Sequence, residues 1–168
     1  MRITASEEYG LRCILQLARL PQGERLSAAQ IGNREGISAE YAGKMMHLFR
    51  KAGLVAGERG PHGGFSLARE ASRTTLLDVF MALGKQAKGD SFCDKFAGDR
   101  AECVHVKDCS VRPVWHVLVS LFDSLLGELS LADLVGGEAQ TRRALLAKAA
   151  PLQGKKMALA RMDLGQTI

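Results

Sequence analysis

The chain has 168 residues with a net charge of +5 and a pI near 9.2, and its composition is that of ordinary globular material, long enough for one domain or a small domain with an oligomerisation element. No apolar run approaches the roughly 18 residues a membrane span needs, and the opening MRITASEEYG lacks the layout of a secretory signal, so a cytoplasmic protein is expected. The charge favours a polyanionic partner that meets the N-terminal half, since ten Lys or Arg stand against six Asp or Glu through Arg69.

Thr4 and Glu7 form a capping-box pattern, and Leu11, Ile14, Leu15 and Ala18 follow at helical spacing until Pro21 and Gly23, which predicts a first helix near residues 5 to 20. Ser27 and Gln30 repeat the cap before Ile31. Gly36 supplies a turn, and Ser38 is placed to cap a third helix running to Gly53. Two short helices joined by a glycine-bearing turn make a helix-turn-helix. In the third helix Ala42, Met45, Met46 and Phe49 lie on one inward stripe, which leaves Glu40, Tyr41, Gly43, Lys44 and His47 nearer the outer face. The outer N-terminal part of such a helix enters the major groove of DNA. Leu54 to Glu58 and Phe65 to Leu67 read as paired strands around Arg59-Gly60-Pro61-His62-Gly63-Gly64, a glycine-rich hairpin that forms a wing with an arginine at its base. The glycines match neither phosphate-loop spacing, so nucleotide binding is not expected.

Thr74 or Thr75 caps a helix that ends near Gly84. Lys85 to Asp108 then forms a polar loop holding Cys93 and Cys103, with Cys109 just beyond it. Clustered thiols in a reducing compartment point to metal binding or redox sensing rather than to disulfides, and soft thiolates suit an iron-sulfur cluster or zinc. Cys13, mid-helix among apolar residues, reads as a core side chain. Ser110 and Pro113 mark the start of a long helix whose Val114, Val117, Leu118, Leu121, Phe122, Leu125, Leu126 and Leu129 make an apolar face too broad for a small winged domain to cover. The same helix of a second subunit is the simplest cover, giving a homodimer. Ser130 to Leu134 reads as a short closing turn, Glu138 to Ala150 as a helix, and the basic remainder as a flexible tail.

The expected fold is therefore mainly α with a small β-wing, in three parts: a winged helix-turn-helix DNA-binding domain over 1–69, a cysteine loop and dimerisation helix over 70–135, and a C-terminal helix and tail over 136–168. An enzyme is not expected, because nothing orients His105 or His116 as a base for Cys103 or supplies an oxyanion hole.

The stretches ITASEEYGLRCILQLARLP, ISAEYAGKMMHLFRKAGLV, ERGPHGGFSLAR and LSLADLV, with the three downstream cysteines, resemble the bacterial winged-helix regulators typified by IscR, NsrR and RirA, the Rrf-two family, over roughly residues 1 to 135. The resemblance implies a homodimeric transcription factor, in the sense of a repressor, reading a double-stranded DNA operator through Ser38, Tyr41, Lys44 and Arg59. It also implies a 2Fe-2S or 4Fe-4S cluster on Cys93, Cys103 and Cys109 that reports redox state, nitric oxide or iron and cluster status. Nine residues separate Cys93 from Cys103, more than in the better-known members, and the histidine that completes the site in IscR-like proteins is here Arg112. The resemblance places the fourth ligand at Glu8, just before Tyr9-Gly10-Leu11-Arg12 and reaching across the dimer, with His105 as the alternative. A zinc-stabilised or thiol-based redox-sensing DNA-binding regulator without a cluster is the alternative function.

Overall fold

The computed structural model describes residues 3–58, 60, 63–84 and 96–163, with side chains through Ala150. Within them, α1 (Ala5–Ala18), α2 (Ala28–Glu35) and α3 (Ala39–Lys51) lead into the antiparallel strands β1 (Val55–Glu58) and β2 (Gly64–Leu67). Next come α4 (Leu76–Ala82), α5 (Arg112–Glu128) and α6 (Glu138–Asp163), with short 3-10 turns at Ala71–Arg73 and Leu131–Leu134. No helix among the described residues is long and apolar enough to cross a membrane.

The helix starts follow local chemistry. At α1 the Thr4 N–H donates to Glu7 Oε2 at 2.7 Å while the Glu7 N–H donates to Thr4 Oγ1 at 3.2 Å, and Ser27 with Gln30 does the same for α2. These reciprocal bonds satisfy donors that a helix N-terminus otherwise leaves unpaired. Gly36 ends α2 in the left-handed region at φ 68°, and a Cβ on Gly32 would come within 2.7 Å of the Ile37 carbonyl oxygen, so the turn closes tightly only with glycine at both places.

The buried stripe of α3 is the expected one, Ala42, Met45, Met46 and Phe49. That of α1 is rotated from the expected Leu11, Ile14, Leu15 and Ala18. Gly10, Cys13, Ile14 and Leu17 are buried, while Leu11 and Ala18 pack at the edge of the core and Leu15 is only partly buried. The reason is a close crossing: a Cβ on Gly10 would come within 2.7 Å of the Leu83 side chain, so the glycine face lets α4 approach. Burial, then the nearby Glu35 charge, pushes the Cys13 thiol up to about 11, which keeps it protonated and unreactive as a core side chain.

Of the two threonines, Thr75 caps α4 through its hydroxyl and Asp78, whereas Thr74 is fully buried and spans Arg69 Nε and the Glu70 carbonyl. Among the described residues neither Ser110 nor any other side chain caps α5; Pro113 lies in its first turn, where a missing N–H costs nothing. Its C-terminal end is anchored by backbone pairing, Leu76 N–H to the Leu129 carbonyl at 2.8 Å and Leu131 N–H to the Thr74 carbonyl at 2.9 Å, which buries Leu129 and Leu131 against the winged part. The segment after Ala150, expected as a flexible tail, continues α6 to Asp163: residues flanking Pro151 and Gly154 are mostly good helix formers.

Asp133 fastens α6 to this anchor. Its Oδ2 accepts from the Ser130 N–H and O–H, both at 2.8 Å, and from Lys148 Nζ at 2.6 Å. Burial works to raise its pKa, but the hydrogen bonds from Lys148 and Ser130 and the Lys148 charge outweigh it, leaving the carboxyl below its ordinary value. A carboxyl depressed on folding stabilises the fold above its unfolded pKa and loses that contribution as pH falls through its folded value. Asp133→Asn is therefore expected to cost about 1 kcal/mol near neutrality, discounted for the partial exposure of Lys148. In thermal melts the gap to wild type should close toward acid pH; a gap constant down to pH 3 contradicts the assignment.

Candidate nucleic-acid interface and thiol site

The first candidate surface is the outer side of α3. Ser38 is exposed at its N-cap, where Oγ accepts the Tyr41 N–H at 3.1 Å and the hydroxyl hydrogen remains available to a phosphate. Lys44 is exposed, as are Glu40, His47, Arg50 and Lys51. Arg50 Nη2 lies 3.4 Å from His47 Nδ1, and a Cβ on Gly57 would come within 3.5 Å of Arg50 Cδ, so the arginine sits in the seam between α3 and β1. Gly43, expected on the outer face, instead turns toward α2, where its Cβ would meet that of Ala28 at 3.7 Å. Arg59 lies outside the described residues.

Tyr41 is half-buried rather than fully outward, because its ring packs edge-on to Tyr9 at 6.0 Å and 87°. Arg12 caps Tyr9 from 5.3 Å and turns its Nε to Glu35 Oε2 at 2.7 Å and Nη2 to the Glu35 carbonyl at 3.1 Å. Gln16 donates to the other Glu35 oxygen. This chain from Glu35 through Arg12 and Tyr9 to Tyr41 ties α1 and α2 to the foot of α3. It escaped the sequence reading because Arg12 and Glu35 are 23 residues apart and neither belongs to a local pattern.

The wing is held to the body by its own register. Val55 pairs with Leu67 and Glu58 with Gly64, while Leu26 joins as a third strand position by exchanging hydrogen bonds with Phe65 at 2.8 and 3.0 Å. Gly64 is required there, since a Cβ would fall 2.9 Å from the Leu26 carbonyl oxygen. Arg25 pairs with Glu58 across the same seam.

The second candidate site is the loop before α5. Cys93 lies outside the described residues; Cys103 and Cys109 are free thiols in the irregular stretch 96–111. From Asp99 to Val111 they are the two residues that are half-buried, while Val104, Val106 and Val111 lie in solvent. Three valines are left in solvent while the two thiols are drawn partly inward, which fits a loop shaped around its sulfurs. The Val106 N–H donates to the Cys103 carbonyl at 3.0 Å, and Arg112 Nη2 donates to the carbonyls of His105 at 3.3 Å and Val106 at 2.7 Å. His105 is exposed. Glu8 is exposed on the first turn of α1, and among the described residues no three His, Cys, Asp or Glu come together as a metal site, so Glu8 does not join Cys103 and Cys109 within one chain.

A helix-turn-helix with an exposed, basic second helix and a β-hairpin wing defines a winged-helix DNA-binding regulator. A family model described as "Iron-dependent Transcriptional regulator", Rrf2, matches residues 3–137. The chain is 32% identical over 140 residues to the HTH-type transcriptional regulator IscR of Xenorhabdus nematophila, covering 80% of this chain and 79% of that protein. Among solved structures it is similar to IscR of T. potens, with a TM-score of 0.63, 26% identity and coverage of 80% and 86%, and in fold to CymR of B. subtilis, with a TM-score of 0.65, 23% identity and coverage of 80% and 96%. The chain belongs to the Rrf2 family of transcriptional regulators, and its role is DNA-binding and regulatory rather than enzymatic.

Proposed function

We propose that this protein is a cytoplasmic homodimeric repressor whose operator affinity is set by an iron-sulfur cluster held by Cys93, Cys103 and Cys109, with Glu8 of the partner subunit as fourth ligand and His105 as the alternative. The observation that carries the reading is the pair of half-buried thiols in a loop whose other residues from Asp99 to Val111 are exposed. Thiolates are the ligands that iron-sulfur clusters take, and a cluster when bound supplies a centre sensitive to redox state, nitric oxide or iron supply. A carboxylate is a harder ligand than a thiolate, so a bond from Glu8 is labile and suits a sensor. Glu8 also directly precedes Tyr9, whose ring touches Tyr41 at the foot of α3, so strain on Glu8 reaches the helix that faces DNA.

The dimer is supported by α5. Val114, Val117, Leu118 and Leu121 remain exposed along one stretch of this helix, and a second copy of the stretch is their simplest cover. On DNA, Ser38, Tyr41, Lys44 and Arg59 contact the operator, with Lys44 beside the backbone and Arg59 in a groove from the wing.

Anaerobic purification followed by iron and sulfide analysis and visible and Mössbauer spectroscopy tests the cluster. A brown protein with matching iron and sulfide is expected, whose spectrum changes in Glu8→Ala. A colourless protein holding zinc, or thiols without metal, replaces the cluster reading with that of a zinc-stabilised or thiol-based regulator. For the DNA face, Arg59→Ala is expected to weaken operator binding by about 1 to 3 kcal/mol and Lys44→Ala to lower the salt dependence by about one charge, with circular dichroism unchanged. Wild-type affinity and salt slope in both variants refute the placement.

A further inference from the structure

Arg112 occupies the position three residues after Cys109, and its surroundings differ from those of a surface arginine. One terminal nitrogen, Nη2, is committed to the His105 and Val106 carbonyls, which fixes the plane of the guanidinium against the cysteine loop. The Nε–H is buried and has no hydrogen-bond partner among the described residues. A buried donor on a permanently charged group requires an acceptor, and an anionic one serves best. The carbonyls of His105 and Val106 already serve Nη2, and the half-buried residues that flank these two in the chain, from Asp99 to Val111, are Cys103 and Cys109.

We infer that Arg112 Nε–H donates a hydrogen bond to the anionic sulfur centre carried by Cys103 and Cys109, so that Arg112 is a positioning residue that holds the loop and tunes the electron affinity of that centre. The inference rests on the cluster reading above. A guanidinium has no lone pair to offer a metal, so the residue acts through N–H···S bonding and charge, not ligation. Both effects favour the more negative, reduced state: donors to cluster sulfurs and a nearby cation raise a cluster's potential, as outer-shell partners commonly tune a metal site. The two carbonyl bonds meanwhile keep the turn from Cys103 to Val106 against the start of α5, where the Nε–H direction is set.

The test uses the full-length protein reconstituted anaerobically, as wild type, Arg112→Gln and Arg112→Lys. Midpoint potential is read by dye-mediated titration, and the iron-sulfur stretching bands by resonance Raman in H2O and D2O. Arg112→Gln is expected to carry the wild-type iron and sulfide content with a lower midpoint potential and a smaller H/D shift of the stretching bands. Arg112→Lys, which keeps the charge but lacks Nε–H, is expected to lose the same part of the H/D shift while its potential falls less. A purely structural role would change cluster loading and leave the bands of the loaded fraction alone. Wild-type potential and H/D shift in the loaded fraction of the variants overturn the inference with the cluster reading intact. Should neither variant load, a wild-type spectrum without an H/D shift overturns the inference and one with a shift in its terminal iron-cysteine bands supports it. Absence of iron and sulfide from wild type itself overturns both readings.

Discussion

An aspartate at Leu121 is expected to turn the proposed dimer into a folded monomer. Val117 is 55% exposed, Leu118 51% and Leu121 38%, whereas Leu126, one turn and a half further on, is 6% exposed and sealed by its own chain. Leu121 has only 38% of its surface left to bury, worth about 0.6 to 1 kcal/mol, but an aspartate there also carries a desolvation cost and a two-fold interface counts each residue twice, so Leu121→Asp should weaken association by about 3 kcal/mol, roughly a hundredfold. Sedimentation equilibrium at micromolar concentration reads the loss, and circular dichroism should report an intact fold. The paired control is Leu125→Asp. Leu125 packs against the protein's own core, so its replacement should lower stability rather than only separate subunits. Monomeric wild type at that concentration would sink the dimer proposal.

Removing Arg12 is expected to have the largest effect on stability within the winged part. The Glu35 side chain is only 7% exposed, and Arg12→Met would leave its carboxylate with Gln16 as its remaining side-chain donor. Taking the arginine away strands the Glu35 charge, but Arg12 is itself 44% exposed and water screens the site, so the cost is about 1 to 2 kcal/mol, roughly 3 to 6 °C in Tm for a chain of this length. The double variant Arg12→Met with Glu35→Leu removes the stranded charge and should recover much of the loss. Operator affinity should fall in Arg12→Met as well, because Tyr9 loses its cap and Tyr41 its fixed neighbour. A Tm within about 1 °C of wild type would mean that Glu35 relaxes into water, and the lock between α1 and α2 would not exist.

The DNA-binding half was legible because its signals are short-range. The Thr4 and Ser27 boxes, the Gly36 turn and the inward stripe of α3 each involve residues three or four apart, and each is found where the pattern places it. The same holds for the hairpin, where glycine spacing alone marks the wing. Of the residues proposed to contact DNA, Ser38 caps α3 and Lys44 is exposed on it, where the pattern places them. Tyr41 is turned aside by Tyr9, a contact between helices that no spacing within α3 could show.

Long-range packing settled the rest. The apolar residues of α5 and Leu129 just after it form one periodic face in the sequence, yet the fold divides them: Leu126 and Leu129 are buried beside the pairing of Thr74 to Leu76 with Leu129 to Leu131, and Val114, Val117, Leu118 and Leu121 stay exposed. Periodicity records that a face is apolar and carries no information on what covers it. Glycine at position 10 is similarly mute until α4 is seen to lie against it. Arg112, in the sequence only a departure from the expected histidine, acquires its meaning from two carbonyls that the loop brings back to it and from its own buried N–H, unpaired among the described residues. Local hydrogen bonding and side-chain period thus determine the helices, the turn and the wing from the sequence itself. Which side of α1 is buried, how much of the α5 face the chain itself covers, which charges are locked and which donors are buried without a partner among the described residues depend on contacts between distant segments, and only the tertiary fold fixes those.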